Sequence, residues 1–164
     1  MHITRGTDVA LRVLMLLARS PEPKVSISCL ADQLNLPERH VGKIVQVLSH
    51  HGWVATVRGR SGGVVVTPAG LATTADAVMT AIEGDGPMLD CLDPPCPLLE
   101  DGCELRTALD SAQAAFRARL AGASIGELAG GHCDSGGDWR FPASTLTGRH
   151  TAGRRAARMA GVGR

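Results

Sequence analysis

The sequence predicts a mainly α-helical fold, a winged helix-turn-helix head with a two-stranded β wing followed by a long C-terminal helix. Three observations carry the prediction. Residues 4–51 hold three helical patterns, and a tight Asn35-Leu36-Pro37 connection joins the second to the third. Two Val- and Thr-rich runs, 53–57 and 63–67, flank the basic, glycine-rich stretch Arg58-Gly59-Arg60-Ser61-Gly62. From Glu104 to about Leu120 an apolar stripe recurs at helical spacing.

The first helix is capped by Thr4 or Thr7 and runs to about Arg19. Val9, Ala10, Leu11, Val13, Leu14, Leu16 and Leu17 make it apolar nearly all round, so it is expected at the buried centre of the head. Pro21 and Pro23 break it. Ser26 or Ser28 caps a short second helix from Cys29 to about Leu34, where Cys29 is expected to be a buried small hydrophobe. Pro37 suits the first turn of a third helix, from Glu38 to about His51. Its Val41, Ile44, Val45 and Leu48 share one face. The two strands then form a hairpin whose tip carries Arg58 and Arg60. A fourth helix is expected over 70–83, and 84–102 reads as a loop rich in proline, glycine and acids. On the long helix, Leu105, Ala108, Leu109, Ala112, Ala115, Phe116 and Leu120 form the stripe. Two readings of that stripe stand side by side: a dimer contact, or packing back onto the head. A short helix follows from Ser124 to Ala129. The expected organisation is a DNA-binding head over 1–69, a loop with dimerisation helices over 70–129, and a flexible basic tail over 130–164.

Composition narrows the functional classes. Of 164 residues, 44% are hydrophobic and 20% charged, which excludes a wholly disordered chain. Aromatics are 2%, namely Trp53, Trp139, Phe116 and Phe141, too few for a base-stacking RNA platform. The longest apolar run, Val9–Ala18, is interrupted by Arg12 and too short to span a bilayer. Nothing before it reads as a secretory signal, so a cytoplasmic protein without a membrane partner is expected. The net charge of +1 hides an asymmetry. Residues 1–70 carry 8 basic and 4 acidic side chains, 71–130 carry 3 and 10, and 131–164 carry 6 and 2. A basic front beside an acidic middle fits a polyanion-binding head joined to a separate regulatory segment. No nucleophile–base constellation, paired carboxylates or phosphate-binding glycine loop is present, so an enzyme is not expected.

In a winged head the third helix enters the major groove. Its candidate DNA contacts are Arg39, His40, Lys43 and Gln46, with Gln46 suited to an adenine edge. Arg58 and Arg60 on the wing are suited to phosphates or a narrow groove.

Cys91, Cys96 and Cys103 fall within one acidic loop, separated by four and then six residues. Clustered cysteines in a reducing compartment are more often metal ligands than bridges. Zinc normally takes a fourth Cys or His in closely paired spacing, which this stretch lacks. An iron–sulfur cluster with a non-cysteine fourth ligand fits the set better. A zinc-stabilised module and a small electron carrier are the readings from other classes. Cys133, in the tail, reads as a free thiol.

Three stretches together carry a resemblance: the opening Thr7-Asp8-Val9-Ala10-Leu11-Arg12, the wing Val57-Arg58-Gly59-Arg60-Ser61-Gly62-Gly63, and the three-cysteine loop ahead of a long helix. Over about residues 1–129 the chain resembles the iron–sulfur winged-helix repressors of the NsrR, IscR and RirA type, and most of all their nitric-oxide-sensing branch. The resemblance implies a homodimer on palindromic operator DNA, with one cluster per subunit. It implies a 4Fe–4S cluster in preference to 2Fe–2S, held by Cys91, Cys96, Cys103 and, from the partner subunit, Asp8. The histidine that another branch places three residues after the last cysteine is replaced here by Arg106. The gaps of four and six depart from the equal gaps of five in the nitric-oxide-sensing branch. The function implied is a repressor whose cluster senses nitric oxide, with cluster nitrosylation releasing the operator. A sensor of iron, cluster supply or redox state is the alternative within the family.

Overall fold

The computed structural model describes residues 3–59, 62–98 and 102–130. Its elements run α1 (Arg5–Arg19), α2 (Ile27–Leu34), α3 (Glu38–His50), β1 (Val54–Val57), β2 (Gly63–Val66), α4 (Pro68–Ala72), α5 (Ala75–Glu83), α6 (Glu104–Ala121) and α7 (Ile125–Gly130). The tail expected over 130–164, with Cys133, lies outside the described residues apart from Gly130, the last residue of α7.

Hydroxyl caps set the helix starts. The Thr4, Ser26, Thr67 and Thr74 side chains accept hydrogen bonds from the free N–H groups opening α1, α2, α4 and α5. Between α2 and α3, Asn35 adopts left-handed backbone at φ 52° and ψ 49°, which turns the chain sharply into Pro37.

The core gathers around one face of α1. Val9, Ala10, Val13, Leu14 and Leu17 meet Leu30 of α2, Val41, Val45 and Leu48 of α3, Val54 and Val64 of the wing, Val78 of α5 and Ile125 of α7. The α1 helix is therefore buried along one face and not all round: Leu11, Met15 and Leu16 stay half-buried, and Arg12 is exposed.

The wing is an antiparallel pair in which Val54 faces Val66 and Val57 faces Gly63. Val25 adds a bridge to Val64, with N–H···O distances of 3.0 and 2.8 Å, so the segment before α2 braces the wing base. Gly70 fits beneath it because a Cβ there would lie 2.0 Å from the Trp53 carbonyl oxygen.

Two expectations are corrected. The helix expected over 70–83 is two helices, α4 and α5, divided at Thr73 and Thr74, which are extended. Thr74 bridges to Ser124, and the Ile125 N–H donates to the Thr73 carbonyl at 2.8 Å. That pairing uses backbone groups a continuous helix would need for itself, and it brings α7 back onto α1. Cys29 is exposed rather than buried: α2 turns Leu30 and Ala31 inward, and the Cys29 sulfur accepts a bond from Gln33 Nε2 at 3.3 Å.

The stripe on α6 divides between its two readings. Leu109, Phe116 and Leu120 are half-buried on the side that meets α5, whereas Leu105, Ala108, Ala112 and Ala115 are exposed. No residue of this 18-residue helix is fully buried. Among the described residues no helix is long and apolar enough to cross a membrane.

Candidate nucleic-acid and metal-binding sites

On α3 the inward stripe of Val41, Ile44, Val45 and Leu48 leaves Arg39, Lys43 and Gln46 exposed on the outer surface. Arg39, His40 and Lys43 line a shallow hollow of about 200 Å³ with Pro37. His40 is half-buried, and its Nε2 is closed to solvent and without a hydrogen-bond partner among the described residues. Pro37 caps α3 without a side-chain bond, so its first N–H groups are left for water or an external acceptor. Arg58 is exposed just past β1, beside Gly59 at φ 113°. Arg60 lies outside the described residues. At the other end of α3, His51 stacks on Trp53 at 4.8 Å, with His50 edge-on to His51 at 5.6 Å. This aromatic joint between recognition helix and wing is signalled in the sequence only by the closeness of the three rings.

Asp8 lies in the first turn of α1, where a carboxylate complements the helix dipole. Its Oδ1 accepts from Arg12 Nε at 2.7 Å, a partner that the i, i+4 spacing allows and the sequence reading passed over. The start of α1 is fixed from a distance. The Thr4 N–H donates to Glu83 Oε1 at 2.8 Å, joining the end of α5 to the first turn of α1. Burial pushes the Glu83 carboxyl up, but bonds from the Thr7 hydroxyl and from the Thr4 amide and hydroxyl outweigh it and hold the group below the ordinary carboxylate value.

The three cysteines occupy the segment between α5 and α6. Cys91 is buried, Cys96 and Cys103 are half-buried, and all three are free thiols. Asp90 Oδ1 accepts from the Leu92 and Asp93 amides at 3.0 and 3.2 Å, and the Cys96 N–H donates to the Cys91 carbonyl at 3.0 Å. This local turn draws the first two cysteines together in the chain and turns Leu92 outward, 70% exposed. Cys103 is the N-cap of α6 and makes no side-chain cap bond, so among the described residues its sulfur stands without a partner at the positive end of a helix. Arg106 pairs with Asp110 at 3.5 Å. Among the described residues no three His, Cys, Asp or Glu side chains converge on a single-ion site. The donor chemistry nonetheless fits an iron–sulfur group: three unbridged, partly sheltered thiols on one short segment, with the carboxylate of Asp8 on a different element. Thiolates from Cys91, Cys96 and Cys103 would hold such a group.

A helix-turn-helix with an outward basic helix, a two-stranded wing and a cysteine segment after it defines a winged-helix transcriptional regulator. Comparison with known proteins narrows the class. The profile of the Rrf2 family, described as "Iron-dependent Transcriptional regulator", matches residues 3–131, and the chain belongs to that family. It is 37% identical over 131 residues to the HTH-type transcriptional repressor NsrR of Streptomyces coelicolor, covering 78% of this chain and 88% of that protein. It is 33% identical over 132 residues to the HTH-type transcriptional regulator NsrR of Geobacillus kaustophilus, covering 78% and 89%. Among solved structures the fold is similar to CymR (YrzC), titled the global cysteine regulator of B. subtilis, with a TM-score of 0.64, 24% identity, and coverage of 79% and 96%. It is also similar to T. potens IscR, with a TM-score of 0.62, 16% identity, and coverage of 78% and 85%. The chain is thus a DNA-binding transcriptional regulator and not an enzyme.

Proposed function

We propose that the chain is a homodimeric repressor of palindromic operator DNA that senses nitric oxide through one iron–sulfur cluster per subunit, of the 4Fe–4S type, with cluster nitrosylation releasing the operator. The observation that carries this reading is the set of three free thiols placed between α5 and an α6 that has no buried residue. The NsrR relatives support it. Cys91, Cys96, Cys103 and Asp8 of the partner subunit would hold the cluster, which would supply iron reactive toward nitric oxide. A carboxylate binds such iron less firmly than thiolate, so Asp8 would be the ligand most readily displaced. Arg12 holds the Asp8 carboxylate within the isolated chain and competes with any other cation for it. The exposed seam of Leu105, Ala108, Ala112 and Ala115 has the three- and four-residue spacing of a helix pairing with a second copy. Residues 1–69 form the reading head, 70–129 carry the sensor loop and dimerisation helices, and 130–164 form a basic tail. In the head, Arg39, His40, Lys43 and Gln46 on α3 face the groove, while Arg58 and Arg60 anchor the wing. His40 contributes by its remaining ring edge, because Nε2 is sealed.

The test is native mass spectrometry of protein purified without oxygen, before and after nitric oxide, on the wild type and Asp8→Ala. The expected result is a dimer with one 4Fe–4S unit per chain that gains nitrosyl mass, and a less stable cluster in Asp8→Ala. An intact cluster indifferent to nitric oxide overturns nitric oxide as the signal. Equal cluster stability and response in Asp8→Ala overturn the aspartate as ligand. A second reading, in which iron or cluster supply is the signal, is favoured by the family's description as iron-dependent, and the indifferent cluster is the result it expects. On DNA, Arg58→Ala weakens binding to all sequences and flattens the salt dependence, whereas Gln46→Ala relaxes specificity at one base pair. A salt series on matched and mismatched duplexes checks both.

A further inference from the structure

We propose that Arg117 is a positioning residue that couples the cysteine segment to the reading head, by hooking α6 onto α5 across the two ends of that segment. This rests on the reading above, in which cluster loading governs DNA binding.

The chain leaves α5 after Glu83 and re-enters α6 at Glu104, so the placement of the cysteines depends on how these two helices are held together. Apolar packing does not hold them firmly. No residue of α6 is fully buried, and a cavity of about 250 Å³ remains at the corner, lined in part by Met79, Met88 and Phe116. Polar contacts span the same corner. Arg117 Nε donates to Asp76 Oδ1 at 2.8 Å, and its Nη2 donates to the Thr80 hydroxyl, one turn further along α5. One turn earlier on α6, Gln113 Nε2 donates to the Gly86 carbonyl at 2.9 Å and catches the segment as it leaves α5.

This ion pair differs in kind from the other two found among the described residues. Asp8–Arg12 and Arg106–Asp110 each lie within a single helix. Asp76 and Arg117 are 41 residues apart, join two helices, and are only 20% and 18% exposed, where water and salt screen them little. The planar guanidinium reaches two acceptors at once and so fixes α6 in both rotation and position along α5. From α5 the path to DNA is short. The α5 helix packs on α1 and holds its first turn through Glu83 and Thr4, and α1 packs on α3. A shift of α6 that follows a change in the cysteine segment is carried by Arg117 into α5 and then into the recognition helix.

The test compares the affinity of cluster-loaded and cluster-free dimers for a labelled duplex selected from a random pool by the loaded wild type. Fluorescence anisotropy gives the ratio of the two affinities. Arg117→Met is expected to cut that ratio by about tenfold, Thr80→Val by about threefold. Arg117→Lys, which keeps the charge but not the fork, falls between wild type and Arg117→Met. A second readout needs no cluster: in cluster-free Arg117→Met, amide exchange speeds up over 84–98 and 113–121 while the α1 and α3 core amides stay protected. A purely structural role lowers both affinities together, and an unchanged ratio in Arg117→Met overturns the coupling alone. A wild-type ratio of one overturns the coupling and the cluster-dependent reading together. If Arg117→Met does not fold, Thr80→Val decides, because it leaves the ion pair whole and an unchanged ratio there has the same force.

Discussion

The unit packed around α1, which takes in α5 and α7, and the α6 segment both use Leu- and Ala-rich helices and are stabilised in opposite ways. In the unit around α1, Leu14, Leu30, Leu48 and Val45 are essentially sealed from water, and α1, α2, α4 and α5 open on hydroxyl caps. In the second region α6 keeps Leu105 62% exposed, and Leu92 and Leu98 of the cysteine segment are 70% and 59% exposed. That unit encloses most of its large apolar side chains. The second region leaves its surface open, and the contacts that hold it to the head at their shared corner are polar. The exposed apolar surface thus lies on the segment proposed to sense, and the side chains proposed to read DNA stand on the unit that is closed.

Substitutions can break or sharpen that contrast. The largest effect is expected in the head: Leu14→Ala opens the centre of the core and costs about 2–5 kcal/mol of unfolding free energy, read by urea denaturation. Leu105→Glu on α6 is expected to change the stability of the chain by no more than about 0.5 kcal/mol. On the proposed pairing of α6 with a second copy it is expected to weaken self-association by about tenfold, as loss of an apolar anchor does, read by sedimentation equilibrium. An equal loss of chain stability from both variants erases the contrast. The smallest effect falls where the regions join. Glu83 is held below its ordinary value of 4.5, so its contribution is present above that pH and is lost as the pH falls through the depressed folded value. Glu83→Gln is therefore expected to lower the Tm slightly at neutral pH, with the difference closing in acid, as a series of thermal melts shows.

Much of the head was legible because its signals are local. Hydroxyl residues at 4 and 7 and at 26 and 28 open the first two helical patterns, Asn35-Leu36-Pro37 enforces a turn, and the Val-rich strands flank an obvious tip. The outward placement of Arg39, Lys43 and Gln46 followed from the inward stripe of α3. The misreadings arose where distant segments decide. Thr73 and Thr74 look helical in an apolar context until Ser124 and Ile125 pair with them from 50 residues away. Cys29 has apolar neighbours in sequence but sits off the stripe that α2 buries. The α6 stripe was visible, but not its division between α5 and the exterior. Of the contacts around the cysteines, the sequence shows the thiols themselves. Glu83 to Thr4 and Arg117 to Asp76 span 79 and 41 residues and carry no local pattern. The Arg12 partner of Asp8 could have been read from its one-turn spacing.

The return of α7 onto α1 bears on how the protein is made. Ile125 is wholly buried in the core of the head, yet it is synthesised after the cysteine segment and after all of α6. On the ribosome the core around α1 lacks Ile125 until the cysteine segment and α6 have been translated. A chain that stops within that segment has an open core and exposes it to proteolysis. On the function proposed above, the order of residues along the chain thus disfavours the accumulation of a shortened product that holds DNA without the proposed sensor.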